Sequence, residues 1–224
     1  MKPWELLEQV ELGKNEGVMS LHRHDEDLVI RVNGRELMST RAHGSEDALG
    51  ALGCAALTGH RGARVLIGGL GMGFTLAAAL GVLEADAEVV VAELVPEVVA
   101  WNRAVLGAAA GHPLDDPRVA VHAGDVSKLI RQSSASWDAI LLDVDNGPEA
   151  LTQAANDGLY GNPGIAAARA ALRVGGVFGV WSVSGDAAFK KRLERDGFRV
   201  TTRSVFANGQ RGRRHILWLG EKLR

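Results

Sequence analysis

The chain has 224 residues, enough for one domain that buries a core without disulfide staples. With 46% hydrophobic and 23% charged residues it has the composition of a globular protein, and a formal net charge of −2 argues against a nucleic-acid partner. A single cysteine, Cys54, excludes an internal disulfide, and the lack of a secretory pattern or a membrane-length apolar run points to the cytoplasm and away from a membrane.

Residues 1–45 read as a small antiparallel leader or lid. Leu28–Val32 is β-branched and strand-like, Asn33-Gly34 is a strong hairpin turn, and Arg35–Met38 returns. Gly17–His22 offers a third strand. His22 and His24 beside Asp25-Glu26-Asp27 are expected as exposed loop residues and not as a metal pair. Ser45 is expected to N-cap a helix through Ala48–Leu52, with Glu46 and Asp47 in its first turn. His43 and Glu46 also suit a pocket mouth. Cys54, among small apolar residues, reads as core.

From Arg64 onward strands and helices alternate. Val65–Ile67 is a strand that stops at Gly68-Gly69-Leu70-Gly71-Met72-Gly73, and Phe74–Leu80 is rich in helix formers. Strand, glycine turn and helix bring backbone N–H groups close to a ligand. The next strand, Val89–Ala92, ends on Glu93, a carboxylate placed to accept hydrogen bonds from ribose hydroxyls. A helix follows from Pro96, then strand Val119–His122, then Gly124-Asp125 and a helix through Ser127–Ile130. Strand Trp137–Leu142 runs into Asp143-Val144-Asp145-Asn146-Gly147-Pro148. A helix near 163–172, a Gly175-Gly176 turn and strand Val177–Trp181 come next. Phe198–Thr202 and His215–Leu219 are expected to close the sheet as an antiparallel pair flanking a glycine-rich basic loop, Arg211–Arg214. Residues 144–162 and 183–190 are expected as loops shaping an acceptor pocket.

Alternating elements mean a parallel sheet covered on both faces, with ligands beyond the carboxyl ends of the strands. Glu93, Asp125 and Asp143 all fall at that edge. Asp125 has a second reading as a helix N-cap, and Asp143 and Asp145 have one as Asx-turn residues. As a cluster, such acids raise one another's pKa and attract a cation, either a sulfonium or an amine.

Gly68-Gly69-Leu70-Gly71-Met72-Gly73, Glu93, Gly124-Asp125 and Trp137–Asp143 together resemble a class I S-adenosylmethionine-dependent methyltransferase fold. More narrowly, with Asn146-Gly147-Pro148, Leu159-Tyr160 and Leu172–Val177, the chain is similar to the spermidine synthase (aminopropyltransferase) branch. The resemblance implies a Rossmann-like α/β fold: a mostly parallel sheet, an antiparallel C-terminal strand pair and an N-terminal β-hairpin leader. Residues 46–224 would be the catalytic domain.

The resemblance also assigns roles. Gly68, Gly69, Gly71 and Gly73 would line the methionine-like part of the donor, Glu93 its ribose, and Asp125 and Val126 its adenine. Asp143, with Asp145, would position and deprotonate the attacking amine, while Glu46, Asn146 and Tyr160 would contact the substrate and Trp181 could face it. The implied reaction moves an aminopropyl group from decarboxylated S-adenosylmethionine to a small amine such as putrescine, with no metal, in a possible homodimer. Two departures stand out: Gly71 replaces the usual aspartate of the glycine motif, and the segment from Asp143 to Pro148 is two residues short. The alternatives are a methyltransferase using intact S-adenosylmethionine on a small molecule, and a non-catalytic nucleoside-binding protein.

Overall fold

The structure, a computed structural model, describes residues 3–13, 17–144, 158–209 and 211–224. Two sheets organise it. The first is a four-stranded antiparallel meander, β1 (Glu5–Glu11), β2 (Val18–His24), β3 (Asp27–Val32) and β4 (Arg35–Ser39), paired in that order. The expected Asn33-Gly34 hairpin joins β3 to β4, with both residues at positive φ. The leader is therefore larger than a hairpin. His22 and His24 lie on β2 and not in a loop, and His22 Nε2 stands 2.9 Å from Ser20 Oγ.

The second sheet has seven strands in the order β10-β11-β9-β8-β5-β6-β7. These are β5 (Arg64–Gly68), β6 (Glu88–Glu93), β7 (Val119–Ala123), β8 (Trp137–Leu142), β9 (Leu172–Ser182), β10 (Phe198–Asn208) and β11 (Arg211–Lys222). From β9 to β7 neighbouring strands are parallel, whereas β11 runs antiparallel to both β9 and β10. The basic residues Arg211, Arg213 and Arg214 are thus on a strand, because β10 and β11 are longer than their apolar centres suggest.

Alternation along the central strands divides the core into two layers. Val65, Ile67, Ala139 and Leu141 face one side, against α1 (Gly44–Cys54), α2 (Phe74–Leu80) and α3 (Pro96–Arg103). Leu66, Ile140 and Leu142 face the other, against α4 (Val126–Gln132), α5 (Asn162–Ala171) and α6 (Ala187–Arg195). Helix α6 occupies part of a region expected as loop; its charged sequence buries only Phe189 and Leu193, one turn apart. Buried Cys54 belongs to the first layer.

The described residues of the leader sheet form no separate core. Met19, Leu21, Leu28 and Ile30 join the first layer, and the Trp101 indole on α3 donates to Glu8 on β1 at 2.7 Å. Among the described residues no helix is long and apolar enough to cross a membrane.

Candidate active site

Strand order reverses at β5, whose neighbours β6 and β8 lead to helices on opposite faces. A crevice opens at such a point. Three backbone hydrogen bonds stitch the strand tips into one row: Asp143 N to Gly68 O, Gly69 N to Ala92 O, and Gly124 N to Glu93 O, each 2.8 Å. The expected edge therefore exists as a continuous ledge.

The glycine turn needs glycine most at Gly69. Its φ is +86°, and a Cβ there would stand 2.3 Å from the carbonyl oxygen of Asp143. Glu93, 8% exposed, holds the turn from the next strand: Oε2 accepts from Leu70 N and Oε1 from Val95 N, both at 2.9 Å. Each carboxylate oxygen retains acceptor capacity for a further donor. Gly73 caps α2 in the left-handed conformation. Beside Gly71, a Cβ would stand 3.1 Å from Met38 Sδ on β4.

Asp125 N-caps α4, accepting from Ser127 N at 2.8 Å and Ser127 Oγ at 2.7 Å. Its capping role is thus real. Val126 is buried against Gly68: a Cβ on that glycine would meet both Val126 methyls at 3.0 Å. Tyr160 lies in the second core layer, 1% exposed, with its ring edge against Phe189 at 5.9 Å. Asp145 and Asn146 fall outside the described residues.

Asp143 and Glu46 form the acidic centre. Asp143 Oδ2 accepts from Thr75 Oγ1 at 2.6 Å, and the same hydroxyl lies 3.2 Å from the carbonyl oxygen of Glu46. Thr75, 2% exposed in the first turn of α2, therefore joins the β8 tip to α1. Burial pushes the Asp143 carboxyl up to about 6, against the opposing Thr75 hydrogen bond. Burial, then the Asp143 charge, pushes Glu46 up to about 7, with Ser45 and His43 opposing. The like-charge effect expected for Asp143 has its partner in Glu46, and the repulsion is shared by the two carboxylates.

Ser45 does not cap α1. His43 occupies the cap position, stacks on Phe74 at 3.9 Å and contacts Asp47 Oδ2 through Nδ1 at 2.7 Å. The Ser45 hydroxyl instead sits 2.5 Å from Glu46 Oε2 and 2.8 Å from His215 Nδ1 on β11. Trp181 on β9 meets the His215 ring edge-on at 4.7 Å. Thr75, Ser45 and His215 carry no motif of their own; only the three-dimensional approach of α1, α2 and β11 reveals them. Among the described residues no group of three or more His, Cys, Asp or Glu could hold a metal ion.

A family profile described as the Spermine/spermidine synthase domain matches residues 51–204, more than half of the chain. The chain belongs to the spermine/spermidine synthase family. It is a transferase of that family. No curated protein matches the sequence. Among solved structures, spermidine synthase from Thermotoga maritima is similar with a TM-score of 0.74 at 16% identity, covering 97% of this chain and 72% of that one. A spermidine synthase bound to the transition-state analogue AdoDATO gives the same values. A probable spermidine synthase from Corynebacterium glutamicum matches with a TM-score of 0.67 at 17% identity, covering 99% of this chain and 81% of that one. At these identities the structural likeness speaks for the shared fold.

Proposed function

We propose that the chain transfers an aminopropyl group from decarboxylated S-adenosylmethionine to a small amine such as putrescine. One observation carries this reading: two carboxylates, Asp143 and Glu46, are held together at the crevice, where burial pushes them up to about 6 and 7 and the His43 ring only partly opposes the shift of Glu46. Such a pair leaves room for a further cation beside the His43 ring. An ammonium group would supply it, and a substrate carboxylate would be repelled.

The residues present suit the donor. The backbone of the Gly68–Gly73 turn approaches closely enough that a side chain at Gly69 would collide with Asp143. Glu93 keeps acceptor capacity for ribose hydroxyls, and Asp125 with Val126 stands beyond the next strand for the adenine. The donor supplies a sulfonium-activated carbon. Asp143 accepts a proton from the attacking amine as its nitrogen bonds to that carbon and the carbon–sulfur bond breaks. Glu46 holds the second positive centre, and Tyr160 supports the acceptor side from the core. The leader closes the acceptor side, with Met38 reaching Gly71.

Gly71 and Met38 favour methyl transfer as the second reading. At the place of the motif's usual aspartate stands Gly71, beside the Met38 thioether, and neither offers a charge to a donor amine.

Asp143→Asn tests the assignment. Turnover with decarboxylated donor and putrescine should fall by about 10²–10⁴-fold, the usual worth of a positioned base, with donor affinity kept. Full activity in this variant would remove Asp143 from the chemistry.

A further inference from the structure

Ser45 and His215 come from positions 170 residues apart and have no part in the roles assigned above. Both are buried, Ser45 fully enclosed and His215 9% exposed, and Ser45 lies between His215 and Glu46. A serine hydroxyl has one proton and two acceptor lone pairs. If that proton goes to Glu46 Oε2, the serine oxygen is free to accept from His215, and Nδ1 must then carry the imidazole proton. With the proton on Nε2 instead, Nδ1 would compete with Glu46 for the serine proton. The tautomer of His215 decides whether Glu46 keeps a donor that favours its charged form.

We propose that His215, acting through Ser45, is a positioning residue that sets the hydroxyl toward Glu46 and so keeps this carboxylate ionised for a cationic substrate. The identity of that cation rests on the aminopropyl-transfer reading; the hydrogen-bond relay does not. The ring is held by its edge-on contact with Trp181. Burial, and then Arg213, lower the His215 pKa, so the ring is neutral near pH 7 and its tautomer matters. Among the described residues, the charged groups facing Glu46 are Asp143 from the β8 tip and His43 before α1, and the Ser45 hydrogen bond works against the upward push of burial and Asp143.

Long-range proton–nitrogen NMR on the protein without substrate reads the tautomer directly, with the His215 signals identified by their loss in His215→Asn. The Nδ1–H form is expected near pH 7; the Nε2–H form would overturn the proposal. His215→Phe keeps an aromatic ring beside Trp181 and loses the donor, whereas His215→Asn keeps an N–H near the Nδ1 position. The Glu46 carboxyl, followed by carbon NMR, should titrate about one pH unit higher in the phenylalanine variant and return toward wild type in the asparagine variant. Equal titration in all three proteins would overturn the relay. If the protein bound neither donor nor amine, the transfer reading would fail while these spectra would still decide the relay. With activity present, the acid limb of kcat/KM should shift in the same order, which a merely structural histidine would not cause.

Discussion

Thr75 Oγ1 donates to Asp143 Oδ2 across 2.6 Å, joining the first turn of α2 to the tip of β8. This bond opposes the burial that pushes the Asp143 carboxyl up to about 6. Thr75→Val keeps the shape and removes the donor. A hydrogen bond to a charged group is worth about 1.5–3 kcal/mol, or roughly one to two pKa units. The acid limb of kcat/KM should therefore move upward by about one pH unit or more. An unmoved limb would show that Asp143 is not the titrating base.

Glu46 predicts a stability signature. Its carboxyl rises from 4.5 to about 7 on folding, burial first and Asp143 second. The folded state thus binds the proton more tightly than the unfolded chain. The resulting stabilisation is fully present below about 4.5 and is lost as pH rises through about 7. Glu46→Gln removes this titration. The variant should melt higher than wild type at pH 8, by about 2–4 °C per kcal/mol recovered, with a smaller gain at pH 4.5. An equal change at both values would contradict the assignment.

The glycine turn offers a third test. Gly69→Ala puts a Cβ 2.3 Å from the Asp143 carbonyl oxygen at a positive φ. Left-handed strain costs about 1–3 kcal/mol before the collision is counted. Donor affinity should fall, because relief requires the turn and the β8 tip to separate. Wild-type affinity and melting temperature would show that the close approach is dispensable.

The parallel half of the fold was legible because its strands are short apolar runs ended by glycine or acid. Val65–Ile67 before Gly68, Val89–Ala92 before Glu93, and Trp137–Leu142 before Asp143 each carry their own stop signal. β1 was not legible: Glu5–Glu11 is mostly exposed and earns its strand state by pairing with β2. Helix α6 leaves little periodicity in the sequence, with two buried residues in nine. In the candidate site, Glu93 and Asp143 close predicted strands and Asp125 follows one, so spacing alone puts them at one edge of the sheet. Ser45 has the residue type of a cap, but its partner His215 lies across the sheet, a contact that local capping rules cannot contain.

Calorimetric titration with decarboxylated and intact S-adenosylmethionine addresses the central claim most directly, since the two donors differ by the carboxylate that Asp143 and Glu46 should repel. Tighter binding of the decarboxylated donor is the predicted result, and Glu46→Gln should narrow the preference. Preference for intact S-adenosylmethionine would contradict aminopropyl transfer and favour methyl transfer. Binding of neither would contradict the donor site itself.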